Sequence, residues 1–282
     1  SPMSRGLGDV YKRQIKDLLA HASGLPAFKQ YYKEEKTREL VLESIYDTVP
    51  IKSNRDTTIY SDVGAIILGE IVEKISGLPL NVFADSMIFK PLGMGTTFFN
   101  PPSNKMRRIV PTEFKPDGTI VHGYVHDENA YSLGGVAGHA GLFSTAKDLA
   151  VFSQMMLNDG LYGWKRIFNT ETVNEFTTKA NAVGGSSRLL GWDSPGGYAS
   201  GGIYLSDNSF GHTGFTGTSM WIDPDQGIIV ILLTNAVHPN RKNKSPKYYD
   251  WRQRIHSAVY ESLSIINKNP NLKLRPRWEE GE

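Results

Sequence analysis

The sequence predicts an α+β fold in which a helical subdomain is followed by an antiparallel sheet flanked by helices. Two patterns lead to this prediction. Apolar residues recur at helical spacing in several segments of residues 15–178, and short runs of β-branched and aromatic residues follow between residues 202 and 234. A last helical pattern then closes the chain. Helices that precede neighbouring strands are typical of α+β domains and not of doubly wound sheets.

Several segments before the first predicted strand have the periodicity of helices. The strongest spans residues 63–76, where a broad apolar face is followed by Gly77, which is placed to cap the helix. Thr145 and Asp148 have the spacing of a capping box. The other predicted helices are a short one that begins at Ile15 and is stopped by Gly24 and Pro26, and segments 37–47, 80–88, 146–158 and 171–178. Residues 97–140, rich in Pro, Gly and Asn, are expected to be a long irregular stretch, and loops of that length are usually either functional or poorly assigned.

The second half of the chain has the composition of an antiparallel meander. The predicted strands are 202–206, 218–223 and 227–234, and residues 223–227 between the last two have hairpin-turn composition. A closing helix is expected over residues 248–266. Its apolar positions, which lie on one face, are Trp251, Ile255, Val259, Leu263 and Ile266.

Composition and charge exclude several classes of protein. The 282 residues contain 31 Lys and Arg against 29 Asp and Glu, so no basic surplus points to nucleic acid or to an anionic membrane. The longest apolar run, residues 228–233, is far shorter than the roughly 18 residues that a membrane-spanning helix needs. The absence of cysteine excludes disulfides, thiolate zinc sites and a cysteine nucleophile.

The two ends of the chain are expected to lie outside the domain. Residues 1–14 have no apolar stretch that would serve as a signal peptide, and they resemble translated sequencing-adapter sequence at the ends of metagenomic contigs. We interpret them as a non-native scar, with a genuine disordered tail as the alternative. Residues 15–270 are then the domain, and residues 271–282 a C-terminal tail.

Three short motifs could carry chemistry. Tyr60-Ser61-Asp62 precedes the strongest helix, His212-Thr213-Gly214 stands at the entrance to the meander, and residues 134–141 form a glycine-dense loop. Taken singly, each has an ordinary structural explanation. Ser61 or Asp62 would cap the helix, His212-Thr213-Gly214 would be a turn at a strand edge, and the glycines would allow tight turns.

Taken together and in order, the motifs resemble those of the serine β-lactamase and penicillin-binding protein superfamily. The similarity is greatest to class C β-lactamases and their esterase and D-alanyl-D-alanine carboxypeptidase relatives. The segments that carry it are residues 18–26, 60–79, 87–94, 212–224 and 227–240. The glycine loop and the residues after it also resemble β-lactamase-like modules attached to glycoside hydrolase family 3 N-acetylglucosaminidases. We therefore expect a β-lactamase/transpeptidase-like domain whose first strands are missing.

The resemblance implies a role for each matching residue. The family transfers acyl groups from amides, lactams or esters to a serine. Tyr60 matches the tyrosine implicated in proton transfer, and His212 takes the place where many relatives have lysine. Thr213 and Gly214 would line the acyl pocket, and the backbone N–H of Phe215 would contribute to the oxyanion hole.

Two further positions concern the substrate. Asp62 stands where the family usually has asparagine, so a carboxylate that only accepts hydrogen bonds replaces an amide that also donates. Its charge would lie beside the anionic groups of penicillins or of D-Ala-D-Ala peptides, so efficient β-lactam turnover is not expected and a peptide or ester substrate becomes more attractive. Asn240 lies where relatives approach a substrate carboxylate.

No serine in this sequence is expected to be the nucleophile. The motif Ser144-x-x-Lys147 follows the tyrosine motif instead of preceding it, and the Thr145/Asp148 capping box accounts for its residues. We therefore expect an N-terminally truncated, inactive portion of a bacterial, periplasmic or secreted serine hydrolase. A glycoside hydrolase domain could precede it in the full-length protein.

Other assignments were weighed against the hydrolase. His122, His126, Asp127 and His139 do not have the helical spacing usual for a metal site, so no metal and no cofactor are expected. The glycine loop lacks the Lys-Ser/Thr of a phosphate-binding loop. The remaining alternative is a non-catalytic module that binds peptidoglycan or a protein partner.

Overall fold

Helices predominate up to Thr177, and a three-stranded antiparallel sheet and a long helix follow from Phe210 onward. The computed structural model describes residues 13–34 and 37–276. The predicted scar lies largely outside the described residues. Residues 271–276 of the predicted C-terminal tail are described, and Leu272 is buried in a core cluster with Tyr260.

The helices are bounded as follows: α1 Ile15–Leu19, α2 Tyr31–Glu34, α3 Arg38–Tyr46, α4 Asp62–Ser76, α5 Leu80–Ala84, α6 Lys90–Leu92, α7 Glu128–Ser132, α8 Ala146–Leu157, α9 Thr170–Thr177 and α10 Pro246–Ser262. A π-helical turn, Asp85–Phe89, joins α5 to α6, and 3₁₀ turns span Ser103–Arg108 and Arg241–Asn243. The strands are β1 Phe98–Phe99, β2 Leu142–Phe143, β3 Leu161–Tyr162, β4 Lys165–Arg166, β5 Phe210–Thr213, β6 Ser219–Asp223 and β7 Ile228–Leu232.

The central helix α4 forms for reasons that are visible in its sequence. Ser61 caps its N-terminus, since its side chain accepts a hydrogen bond from Gly64 N. Gly77 ends the helix in the left-handed conformation at φ 70°. Val63 and Ile66 are each only 1% exposed and pack into a core formed largely by the N-terminal helices. The predicted α4 is therefore confirmed, including its C-terminal cap.

The main sheet is three-stranded and antiparallel, in the order β5-β6-β7. In its register His212 lies opposite Met220, and Trp221 lies opposite Val230. Helix α8 and the sheet share one core cluster, whereas Tyr260 of α10 belongs to a cluster on Trp221 and Val230. Helices on both sides of an antiparallel sheet confirm the α+β prediction.

The first predicted strand is wrong. Residues 202–206 form no strand, and the meander begins at β5, so His212 and Thr213 lie within its first strand and not at its entrance. Tyr204 and Leu205 are nevertheless buried, at 7% and 0% exposure. Their apolar character reflects burial of an irregular segment against α10, which a short sequence window does not distinguish from a strand.

Most of the predicted face of the closing helix is exposed, and of its five positions only Val259 packs on a core cluster. Trp251 and Ile255 are 54% and 45% exposed, and Leu263 and Ile266 lie beyond the end of α10 at Ser262 and are also exposed. The face that packs on the sheet carries polar residues with hydrogen-bond partners. These buried positions are Asp250, Gln253, His256, Ser257 and Tyr260.

The helices were compared in length and apolar character with what a membrane-spanning helix needs. None of the helices in residues 13–34 and 37–276 combines the length and the apolar character that crossing a lipid bilayer requires.

Candidate active site

The tyrosine motif is fixed at the start of α4 by hydrogen bonds. Ser61 Oγ donates to Pro26 O at 2.7 Å while it accepts from Gly64 N at 3.0 Å. Its backbone N–H donates to Nδ1 of His21 at 3.1 Å. Ser61 is therefore the structural cap of α4. The side chain of the neighbouring Tyr60 is partly buried and 42% exposed.

Tyr60 lies among two histidines and an arginine. Its ring centroid is 4.4 Å from that of His21 and 5.8 Å from that of His212, and the guanidinium carbon of Arg188 lies 5.1 Å from the ring centre. Burial raises the pKa of the Tyr60 phenol above its usual value, and Asp62 adds to the rise, while Arg188 opposes it. The structure thus brings together Tyr60 and His212, the two residues that the motifs single out.

His212 is neutral. Burial lowers the pKa of its imidazole, and Arg188 acts in the same direction, against Asp193. Nδ1 lies 2.9 Å from Thr213 O, which can only accept, so Nδ1 carries the proton and Nε2 is left as an acceptor. The third motif therefore supplies no fixed cation next to Tyr60.

His21 is a site residue that the motif analysis did not single out. It is 7% exposed, and burial lowers its pKa to about 3. The segment 18–26 that contains it resembles a segment of the family, and that resemblance is the signal in the sequence that points to it.

Arg188 and Asp193 were also missed. They form an ion pair at 2.7 Å across a tight turn that lies against β5. Asp193 and Gly211 exchange two backbone hydrogen bonds, at 2.8 and 3.0 Å. No sequence motif marks this turn, and its importance is visible only in the fold.

The glycine loop packs on α4 beside Asp62. A Cβ on Gly138 would lie 2.0 Å from Ala65 O, so only glycine fits at this contact. The next residue, His139, pairs with Asp127 at 2.8 Å. Burial raises the pKa of the Asp62 carboxyl, Asp127 adds to the rise and His139 opposes it.

The residues after β5 form the other side of the site. A Cβ on Gly214 would lie 2.2 Å from Thr218 Oγ1, so the chain turns tightly there. Phe215 is 55% exposed, and Lys244 Nζ donates to its carbonyl at 2.7 Å. Within the part of the chain that the structure describes, no acceptor is bonded to the N–H of Phe215. That N–H is therefore free to donate to a ligand.

Asn240 has a local partner. Its Oδ1 accepts from Lys242 N at 2.9 Å and so caps the 3₁₀ turn Arg241–Asn243. The guanidinium of the next residue, Arg241, binds Glu113 and Glu128 at 2.6 and 2.8 Å. The role predicted for Asn240 toward a substrate carboxylate stays a prediction.

Ser144 is part of a buried polar cluster. Its Oγ lies 2.7 Å from Thr97 Oγ1. Thr145 caps α8 as predicted, but the Asp148 carboxylate accepts from Thr96 and Thr97 and does not return to the backbone of the cap. The predicted capping box is thus only half formed.

The histidines once weighed as metal ligands have separate partners. His122 Nε2 bonds to carbonyls of Met106 and Ile109, and His126 pairs with Glu113 at 2.9 Å. Across residues 13–34 and 37–276, no cluster of three or more histidine or acidic side chains could hold a metal ion.

Comparison with known proteins identifies the family. The sequence profile described as Beta-lactamase matches residues 8–254. The chain belongs to the β-lactamase family. A family member from Escherichia coli (strain K12), named as a D-alanyl-D-alanine carboxypeptidase, is 40% identical over 256 residues, which are 80% of this chain and 57% of the relative. The N-acetylmuramyl-L-alanine amidase of Bacillus subtilis (strain 168) is 37% identical over 295 residues, 91% of this chain and 66% of that protein.

The fold is that of the family as well. The crystal structure of a β-lactamase from Sulfitobacter sp. EE-36 superposes with a TM-score of 0.66 at 18% identity, covering 93% of this chain and 74% of that one. The chain spans less than three fifths of the length of several curated relatives named as carboxypeptidases.

Proposed function

We propose that this chain is part of a serine hydrolase and supplies Tyr60 for proton transfer and the N–H of Phe215 for the oxyanion hole. The observation that carries the proposal is the placement of Tyr60 between neutral His21 and neutral His212, beside the strand that ends before Phe215. The nucleophilic serine and its lysine would come from a segment outside this sequence.

The proposed reaction is acyl transfer to that serine. The hydroxyl proton passes to the Tyr60 phenolate as the serine oxygen attacks the carbonyl carbon, and Tyr60 then protonates the leaving group. Water hydrolyses the acyl ester by the same route in reverse. Thr213 and Gly214 would line the acyl pocket, and Asn240 would approach a substrate carboxylate.

We propose a D-alanyl peptide or another peptidoglycan-derived amide or ester as the substrate. Relatives named as a carboxypeptidase and as an N-acetylmuramyl-L-alanine amidase support this class. Asp62 favours the members of this class that have no anionic group next to the scissile bond, because a carboxylate beside Tyr60 repels such groups in penicillins and in D-alanyl-D-alanine peptides alike. β-Lactam turnover would accordingly be poor.

A non-catalytic peptidoglycan-binding or interaction module is the second candidate. It is favoured because a phenolate at Tyr60 needs cations nearby, and the lowered pKa of His212 makes that residue a poor one. The pKa of Tyr60 is accordingly raised and not lowered. In either case the protein would be bacterial and periplasmic or secreted, without nucleic acid, metal or cofactor. A glycoside hydrolase domain could be fused to it.

The test compares the 282-residue chain with a longer protein extended by its upstream coding sequence. We expect no stoichiometric adduct of a fluorescent penicillin on the chain alone, and an adduct on an upstream serine in the longer protein. D-alanyl dipeptides and N-acetylmuramyl-L-alanine would then be assayed as substrates. Tyr60→Phe should lower turnover about 10²–10⁴-fold, whereas the exposed Tyr198→Phe should not.

Each result decides between the candidates. An adduct on any serine of this chain contradicts the missing nucleophile. A longer protein that binds peptidoglycan but is acylated at no serine supports the non-catalytic module.

A further inference from the structure

The turn that carries Arg188 and Asp193 is firmly built. Leu189 and Leu190 are buried at 2% and 9% exposure, and Gly191 N donates to Leu19 O at 3.1 Å. The backbone ladder between Asp193 and β5 holds the other end. Because both ends are anchored, the ion pair in this turn has a fixed place relative to Tyr60.

Arg188 faces Tyr60 from the side of this turn. Its guanidinium carbon lies 5.1 Å from the Tyr60 ring centre, and its Nη1 lies 2.7 Å from Asp193 Oδ1. The Arg188 side chain is 18% exposed and that of Asp193 25%, so water screens these charges only in part. A cation over the face of an aromatic ring is attracted to it, and the attraction grows when the ring becomes an anion.

The other groups that face Tyr60 make Arg188 distinctive. His21 accepts a hydrogen bond at Nδ1 and is therefore neutral, burial lowers the pKa of His212, and Asp62 has a carboxyl group that cannot carry positive charge. Arg188 is therefore the cation placed at the ring among the described residues, and Asp193 is its counter-charge.

We propose that Arg188 and Asp193 are a pair of opposed charges that set the proton affinity of Tyr60, Arg188 favouring the phenolate and Asp193 the phenol. They are positioning residues, since neither has to touch the substrate. The inference rests on the proposed function only for its use, because proton transfer by Tyr60 is part of that function. The effect on Tyr60 itself exists in this chain with or without hydrolysis.

The directions of the electrostatic shifts agree with the geometry. Arg188 lowers the pKa of Tyr60 and Asp193 raises it, although burial and Asp62 leave the pKa above its usual value. A nucleophile-motif lysine supplied from outside this sequence would act on the same phenol in the same sense as Arg188.

The experiment titrates Tyr60 in the chain itself. The 13 tyrosines are labelled with ¹³C at Cζ, Tyr60 is assigned with Tyr60→Phe, and its Cζ shift is followed by NMR from pH 8 to pH 12. Asp193→Asn keeps a partner for Arg188 and should lower the Tyr60 midpoint. Arg188→Gln should raise it by about half a unit to one unit, the size expected for loss of one partly exposed charge 5.1 Å from the ring centre, and the opposite shift in Asp193→Asn should be no larger.

Two matched variants separate charge from structure. Arg188→Lys keeps the positive charge and should hold the midpoint closer to wild type than Arg188→Gln does. Arg107→Gln removes an exposed arginine of the 3₁₀ turn Ser103–Arg108 and should have no effect.

The order of midpoints decides the inference. The inference is supported if the Tyr60 midpoint is lower than wild type in Asp193→Asn and higher than wild type in Arg188→Gln. Shifts in the same direction, or midpoints that do not move, overturn it, because loss of structure has no reason to give opposite signs. Since no hydrolysis is measured, an inactive longer protein would refute the proposed function and leave this result standing.

Discussion

His256 makes the stability of the fold depend on pH. It is fully buried in α10, and its Nε2 lies 2.8 Å from Ser219 Oγ on β6. Nδ1 is buried without a hydrogen-bond partner among the described residues, and burial together with Arg252 lowers the pKa of His256 to about 4. A proton on Nδ1 would bury an unpaired charge.

The sign and size of the effect follow from linkage. An unfolded histidine has a pKa of about 6.5 and so binds a proton between pH 6.5 and 4, where the folded one does not. Stability is therefore present above pH 6.5 and is lost as the pH falls toward 4. With 1.36 kcal/mol per pKa unit, lowering the pH from 7 to 5 costs about 2 kcal/mol through this residue alone.

The assay is urea unfolding at pH 7 and pH 5. His256→Gln, which cannot titrate but can bond to Ser219, should lose about 2 kcal/mol less between the two pH values than wild type. The exposed His238→Gln should lose as much as wild type does. The reasoning fails if His256→Gln and wild type lose the same free energy of unfolding.

Two further predictions concern packing and association. Gly138→Ala should lower the free energy of unfolding by about 1–3 kcal/mol, because its Cβ would lie 2.0 Å from Ala65 O, whereas Gly184→Ala, with open space around it, should be neutral or slightly stabilising. Equal urea midpoints would contradict this. The chain should also self-associate, since β7 is an edge of the main sheet next to exposed apolar residues. Sedimentation velocity should show concentration-dependent oligomers that Leu233→Glu, next to the end of β7, reduces; a monomer at every concentration would refute it.

Elements with local signals were predictable. The helix α4 has strong apolar periodicity and a glycine cap, and β6 and β7 are apolar runs around a turn. The strand predicted over residues 202–206 was wrong because a buried irregular segment has the same apolar composition as a strand.

The prediction of which face of α10 is buried was wrong for a different reason. Hydropathy assigns Gln253 to solvent, yet its amide bonds to Ala199 O and Lys273 O at 3.0 and 2.8 Å. Partners this distant in sequence are invisible to periodicity. When they satisfy the hydrogen bonds of a polar group, burial no longer carries its usual cost.

The candidate site divides in the same way. Tyr60 and His212 lie in recognisable motifs and could be predicted to meet. Arg188 and Asp193 come from a turn without a motif, and only the three-dimensional path of the chain brings them to Tyr60. Electrostatics at the site therefore depends on residues that sequence analysis alone passes over.

The hydrogen-bonded side of α10 acts as a register lock. Gln253, His256 and Tyr260 each bond to particular partners, and Tyr260 donates to Asp223 at 3.0 Å. These hydrogen bonds are directional, so a slip of one turn, about 5.4 Å, would leave all three groups buried without their partners. The outward side of α10, with Trp251 and Ile255, is therefore held at one height and one rotation. A partner that binds this side of α10 would therefore contact a surface that is already fixed in position.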